Sequence, residues 1–264
     1  GSSSLKLVEI ENASGKNKLS RCLTVPLKYG VIEKGLMTDS AVVAKAIKAI
    51  VKESGTPTKQ AATALSGHSV LVNKITLREM GEDEIRQLIV DEAGEYMPID
   101  KVENVYFDIH ILGANENNAE NIDVIIAAAK TDVIAEYRSV VESTGLRLVL
   151  MDVDSFALET AYEENYEFTD DDVVGLIHMG ASITNLNIVR GGQSVFTRNI
   201  LMGGNLVTDA IQARRGVSFE EAESLKLQAR DPGDDAGTGE SLLAMADPII
   251  AEIERSVDFF ISSA

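Results

Sequence analysis

Twice along this chain a strand meander gives way to helices, and that doubled order is the strongest constraint on its fold. Residues 5–10 and 19–25 read as strands, joined by a turn-rich connection over 12–17. Residues 40–54 then read as a helix. Asp39 or Ser40 caps its start, Gly55 closes its end, and Val43, Ala46, Ile47 and Ile50 share one face. The second meander runs through 173–179, 184–190 and 194–201, with a tight turn at Gly191-Gly192. Beyond Gly204 the pattern is helical, broken by a flexible stretch at 231–239. Repeated α/β units of this kind predict two lobes with a cleft between them.

The middle of the chain adds strand candidates at 61–65 and 70–75. One amphipathic helix is expected over 81–96, with Ile85, Leu88, Ile89, Ala93 and Tyr96 inward and Pro98 as its stop. Strands follow at 105–111 and 122–129, joined by a polar loop over 115–121. A helix over 132–144 ends at Gly145, and a strand at 147–153 feeds a helix starting near Asp154. The acidic segment 163–172 reads as a linker between lobes.

The 264 residues carry 24 Lys and Arg against 42 Asp and Glu, a net charge of −18. Such a surface repels phosphate backbones and anionic headgroups, so neither nucleic acid nor a membrane is an expected direct partner. The charge serves solubility first; a basic segment on a partner protein is the alternative reading. The single cysteine, Cys22, excludes an internal disulfide, and its place in a strand predicts a buried, reduced thiol. Three widely separated histidines, His68, His110 and His178, argue against a zinc site. The chain begins at Gly1 without Met or a signal-peptide pattern, so trimmed ends are expected.

No Walker loop, nucleophile elbow, dinucleotide fingerprint or EF-hand is present; Gly30 and Gly35 have the phosphate-loop spacing, but Leu36 stands where Lys is required. Three clusters of glycine and hydroxyl residues remain: Gly1-Ser2-Ser3-Ser4 with Lys6, Gly180 to Thr184, and Gly203-Gly204-Asn205 at a helix start. Small residues let backbone amides approach an anion, hydroxyls donate to phosphate oxygens, and a helix N-terminus adds positive potential. Each alone reads as an ordinary turn. Two of them at equivalent places in two α/β units read as a phosphate clamp.

The pattern resembles the actin, DnaK-type chaperone and FtsA superfamily, and within it the PilM family. The resemblance rests on GSSSLKLVEI from Gly1, DEAGEYMPID from Asp91, AAAK from Ala127, MDVDSFALE from Met151, IHMGASITNLNIV from Ile177, FTRNILMGGN from Phe196 and FEEAESLK from Phe219, in family order along the whole chain. It implies an actin-like (ribonuclease H-like) α/β fold with two lobes and an extra α/β subdomain inserted in the first. That places residues 1–73 and 147–172 in the first lobe, 74–146 in the insert and 173–264 in the second. It also implies that ATP or ADP is bound with Mg2+. Gly1, Ser2, Ser3, Ser4 and Lys6 match the first phosphate hairpin, Gly180 and Thr184 the second, and Gly203, Gly204 and Asn205 the glycine turn. Glu223 and Lys226 match a ribose-contacting pair; a surface ion pair on a solvated helix describes them equally well. Asp154 matches the acidic residue that orients water or water-bound magnesium; as a helix N-cap it has an ordinary role too.

Two departures bear on hydrolysis. The superfamily's Asp before the first glycine would precede Gly1, and its C-terminal glycine pair would follow Ala264; neither is in this sequence. His178 stands where relatives carry the Asp of the second hairpin, and its plain reading is a buried strand-end histidine. ATP binding with weak or absent hydrolysis is the resulting expectation. By resemblance, the chain is a cytoplasmic scaffold of type IV pilus assembly and twitching motility, peripheral to the inner membrane through its partners. It would take the N-terminal cytoplasmic segment of PilN in a groove beside the insert, and contact other platform and motor proteins. The alternatives are a weak ATPase and an FtsA-like filament former.

Overall fold

The structure is a computed structural model, and it describes residues 1–13, 15–67, 70–97, 104–167, 169, 171–228 and 236–263. His68, Pro98 and the 231–235 part of the expected flexible stretch lie outside these residues. The chain divides into two compact units. One contains Gly1–Thr56, Ile177–Leu186 and Arg198–Ala264, the other Pro57–Leu176 and Asn187–Thr197.

The first unit opens with a long antiparallel hairpin, β1 (Ser4–Ala13) and β2 (Lys16–Pro26), in which Leu5 faces Val25 and Leu7 faces Leu23. The pleat sends alternate residues to opposite faces. Leu23 and Val25 are therefore half-buried, while Cys22, opposite the exposed Val8, faces outward. The expectation of a buried thiol is corrected: Cys22 occupies the wrong parity of its strand. Two short strands absent from the sequence reading follow, β3 (Ile32–Glu33) and β4 (Leu36–Met37). Helix α1 (Ser40–Ser54) begins where the Asp39 carboxylate accepts the Val42 N–H and ends at Gly55 in the left-handed region, φ 62°. Its buried Val43, Ile47 and Ile50 form one stripe, and the helix packs on β1 and β2.

In the second unit β5 (Gln60–Leu65) pairs in parallel with β9 (Arg147–Val153). Between them in sequence, β6 (Val70–Arg78), β7 (Val105–Asn115) and β8 (Asn118–Lys130) make an antiparallel sheet in the order β6-β8-β7. One face of this sheet carries Leu77, Ile122, Val124, Ile126 and Ala128 against α2 (Glu82–Asp91) and α3 (Ala93–Tyr96). The single helix expected over 81–96 is two: the backbone leaves helical geometry at Glu92, φ −113° and ψ 27°. Across the break Ile85, Ile89, Ala93 and Met97 all stay in the core, which holds the re-phased turn in place. The loop expected over 115–121 is also corrected. Only Glu116 and Asn117 connect β7 to β8, because the Asn115 side chain accepts the N–H groups of Asn117 and Asn118 and tightens the turn.

Helices α4 (Thr131–Glu142) and α5 (Asp154–Glu163) flank β9 in sequence. The second meander is a three-stranded sheet, β10 (Val173–Met179), β11 (Thr184–Arg190) and β12 (Gln193–Ile200), with β11 central and nearly all buried. Gly191 and Gly192, at φ 53° and 76°, supply the left-handed pair its tight turn requires. His178, near the end of the outer strand β10, is exposed like its neighbours Ile177 and Met179; a buried histidine is not what the fold makes of it. Helices α6 (Gly204–Arg215), α7 (Phe219–Gln228) and α8 (Ala236–Ser263) complete the first unit. Residues 236–239, expected in a flexible break, are the first turn of α8.

Candidate functional site

Two of the three glycine and hydroxyl clusters meet directly. The Ser2 hydroxyl lies 2.5 Å from the Ser182 hydroxyl, so the segment leading into β1 touches the β10–β11 turn across 180 residues of sequence. That turn is closed by the Gly180 N–H donating to the Ile183 carbonyl at 2.8 Å. Lys6 returns over the same place: a side chain built at Gly1 would meet its Nζ at 3.9 Å. Two serine hydroxyls, and an ammonium beside the adjacent Gly1, stand on exposed or half-buried ground, a donor set that suits phosphate oxygens.

The third cluster is tied to the second. The Gly204 N–H donates to the Gly180 carbonyl at 3.0 Å, and the Asn205 N–H to the Ala181 carbonyl at 2.7 Å. The first amides of α6 thus hold the turn. Gly203 makes this approach possible: a Cβ there would stand 2.4 Å from the Gly180 oxygen and 2.9 Å from Ala181. Thr184 is fully buried, and its hydroxyl donates to the Met202 carbonyl at 2.8 Å, a second tie between the same segments.

Glu223 and Lys226 lie three residues apart on α7 and form an ion pair at 2.5 Å. The sequence reading missed the residue that completes them. The buried Thr208 hydroxyl donates to the Glu223 carboxylate at 2.6 Å and accepts from the Lys226 ammonium at 2.9 Å. Lys226 also reaches the Gly204 carbonyl at 3.3 Å, which ties the ion pair to the glycine turn. Thr208 was legible only as a hydroxyl four residues beyond Gly204, one helical turn along. Ser182 was missed as well, although it lies inside the quoted Gly180–Thr184 cluster.

Nearby, Tyr29 stacks on Phe219 with ring centroids 3.9 Å apart. Burial, then the charges of Asp209 and Glu33, raise its phenol above the usual value. Burial also raises Asp209, and Lys226 opposes the shift.

Asp154 belongs to the second unit, where it is the first residue of α5 after the strand end at Val153. Its charge contributes, after burial and Glu136, to a Tyr137 phenol pushed up to about 12. Among the described residues no group of three His, Cys, Asp or Glu side chains is placed to hold a metal ion, and no helix is long and apolar enough to cross a membrane.

The second unit also contains a cavity of about 410 Å³ on the sheet face opposite α2. Leu65, Ile125, Ile134, Val153 and Phe156 give it apolar walls, and Asp108, His110 and Asp152 line it as well. It runs along β7, which among the described residues is an edge strand paired with β8.

The profile of the family described as type IV pilus assembly protein PilM matches residues 1–264. Among solved structures, a PilM–PilN type IV pilus biogenesis complex matches with a TM-score of 0.85 and 26% identity, covering 98% of this chain and 75% of that one. The ethanolamine utilization protein EutJ from Carboxydothermus hydrogenoformans matches with a TM-score of 0.54 and 15% identity, covering 100% and 70%. That second likeness is one of fold alone. The mixed α/β architecture is the actin-like one.

Proposed function

The chain belongs to the PilM family of type IV pilus assembly proteins, and from that premise we propose that it is a nucleotide-binding, actin-like scaffold that captures the N-terminal cytoplasmic segment of PilN. The observation that carries the reading is the cavity along β7. An open strand edge offers backbone hydrogen bonds to an extended peptide, and apolar pockets beside it take alternate side chains. The structural relative matched at 26% identity is a PilM–PilN complex, which supports the same partner.

In this reading residues 1–73 and 147–172 form the first lobe, 74–146 the inserted subdomain and 173–264 the second lobe. ATP or ADP sits against Ser2, Ser3, Ser4, Lys6 and the Gly180 turn, with the Glu223–Lys226 pair at its ribose. The donor set supports this: the Ser2 and Ser182 hydroxyls meet, and the Lys6 ammonium lies beside the adjacent Gly1. Asp154, in the second unit, is the residue proposed to orient water bound to magnesium. Bound nucleotide biases the groove between states of different PilN affinity, and the protein reaches the inner membrane and the pilus motor through its partners.

Calorimetric titration with a peptide of the cognate PilN segment, with and without ATP, tests this. Wild-type protein is expected to bind. Ala127→Leu, which adds bulk at the cavity wall, is expected to weaken binding about tenfold or more while the circular dichroism spectrum is kept. No binding in either nucleotide condition sinks the proposal.

A further inference from the structure

We propose that Asp152 is the residue by which this cavity selects a cationic side chain, Lys or Arg, on the peptide it holds; the inference rests on the reading of the cavity as a peptide groove. The residues lining the cavity include two carboxylates and no Lys or Arg. The two carboxylates differ in their partners. Asp108 is paired with Arg86 at 2.7 Å. Asp152 accepts only its neighbour's Val153 N–H, at 2.7 Å, and among the described residues no cation forms an ion pair with it. His110 lines the same cavity.

Asp152 is half-buried where β9 passes into α5, beside Met151, Val153 and Phe156. Its surroundings add negative charge. Burial first, then Glu163 and Asp152, raise the Glu159 carboxyl, against hydrogen bonds from Asn187 and Ser194. An occupant that covers this carboxylate removes its water, and a cationic side chain on that occupant supplies the partner in its place. The chain's net charge of −18 adds long-range attraction for such a segment. Apolar side chains of the peptide fill the walls; one cation beside them fixes its register.

Titration of the intact protein with the cognate PilN segment tests the assignment. At low ionic strength Asp152→Asn is expected to weaken binding about tenfold. Replacing the matching Lys or Arg of the peptide by norleucine costs the same factor, and the two changes together cost no more than either alone. Asp152→Glu keeps the charge and most of the affinity, which separates loss of charge from misfolding. Unchanged binding by Asp152→Asn, losses that multiply, or tight binding of a peptide without Lys or Arg overturns the assignment and leaves PilN capture standing. Absence of binding by the wild type refutes both.

Discussion

Gly203 and Gly204 are adjacent, and alanine is expected to have opposite consequences at the two positions. The backbone of Gly203, φ −168° and ψ −161°, is extended and open to any residue, so the cost there is one of space. An added Cβ lies 2.4 Å from the Gly180 oxygen, where contacts under 3.0 Å do not persist; the turn must retreat by at least about 0.6 Å. That movement stretches the Gly204 N–H···O Gly180 and Asn205 N–H···O Ala181 bonds, now 3.0 and 2.7 Å. Two weakened hydrogen bonds at about 0.5–1 kcal/mol each, with overpacking strain of about 1–2 kcal/mol, give roughly 2–4 kcal/mol. At Gly204 the nearest obstacle is the tip of Lys226 at 3.3 Å, which can swing aside, and alanine in the first helical turn gains up to about 1 kcal/mol of propensity. Native-state hydrogen exchange of the Gly204 and Asn205 amides reads both effects locally. Gly203→Ala should speed their exchange roughly thirty- to a thousandfold, and Gly204→Ala should leave it within about tenfold of wild type. Wild-type protection in Gly203→Ala would refute the packing argument.

Two further predictions concern the second unit. Asp123 is buried and takes hydrogen bonds from Lys74, Asn115 and Thr76. Burial alone would raise its carboxyl, but these three partners hold it below the usual value. Its contribution is therefore present above the unfolded carboxylate range and is lost as pH falls through the lowered folded value. Asp123→Ala should cost about 2–3 kcal/mol in urea unfolding at neutral pH and flatten the acid limb of the stability curve. Tyr137 has the opposite sign. Its phenol is neutral in the fold up to about pH 12, so stability should fall between pH 10 and 12 by roughly 2–3 kcal/mol, and Tyr137→Phe should remove that slope.

Where local chemistry decides, the sequence was readable. Asp39 and Gly55 bound α1, and Gly191-Gly192 turns β11 into β12, because a carboxylate cap and left-handed glycines act within four residues. Where the outcome depends on a distant surface, it was not. Nothing in residues 81–96 marks Glu92 as a break; the core that keeps Ala93 and Met97 inward lies on β6 and β8. Cys22 and His178 were both read as buried strand residues, yet one sits on the outer parity of a hairpin and the other on an edge strand. The candidate site divides in the same way. Glycines and serines announced three turns, but Ser182 and Thr208 gain meaning only through contacts with Ser2 and with Glu223 and Lys226.

By itself the sequence determined the doubled strand-then-helix order, the caps of α1, the glycine turn between β11 and β12, and the family. All follow from periodicity, backbone freedom and motif order, which are properties of neighbouring residues. Only the tertiary structure decided that the Gly180 turn sits on the amides of α6, that Lys226 closes a ring through Thr208, and that Asp152 lines a largely apolar cavity with no ion-pair partner among the described residues. Each of these joins segments far apart in the chain, and their distances are set by packing of the core, which no local pattern encodes.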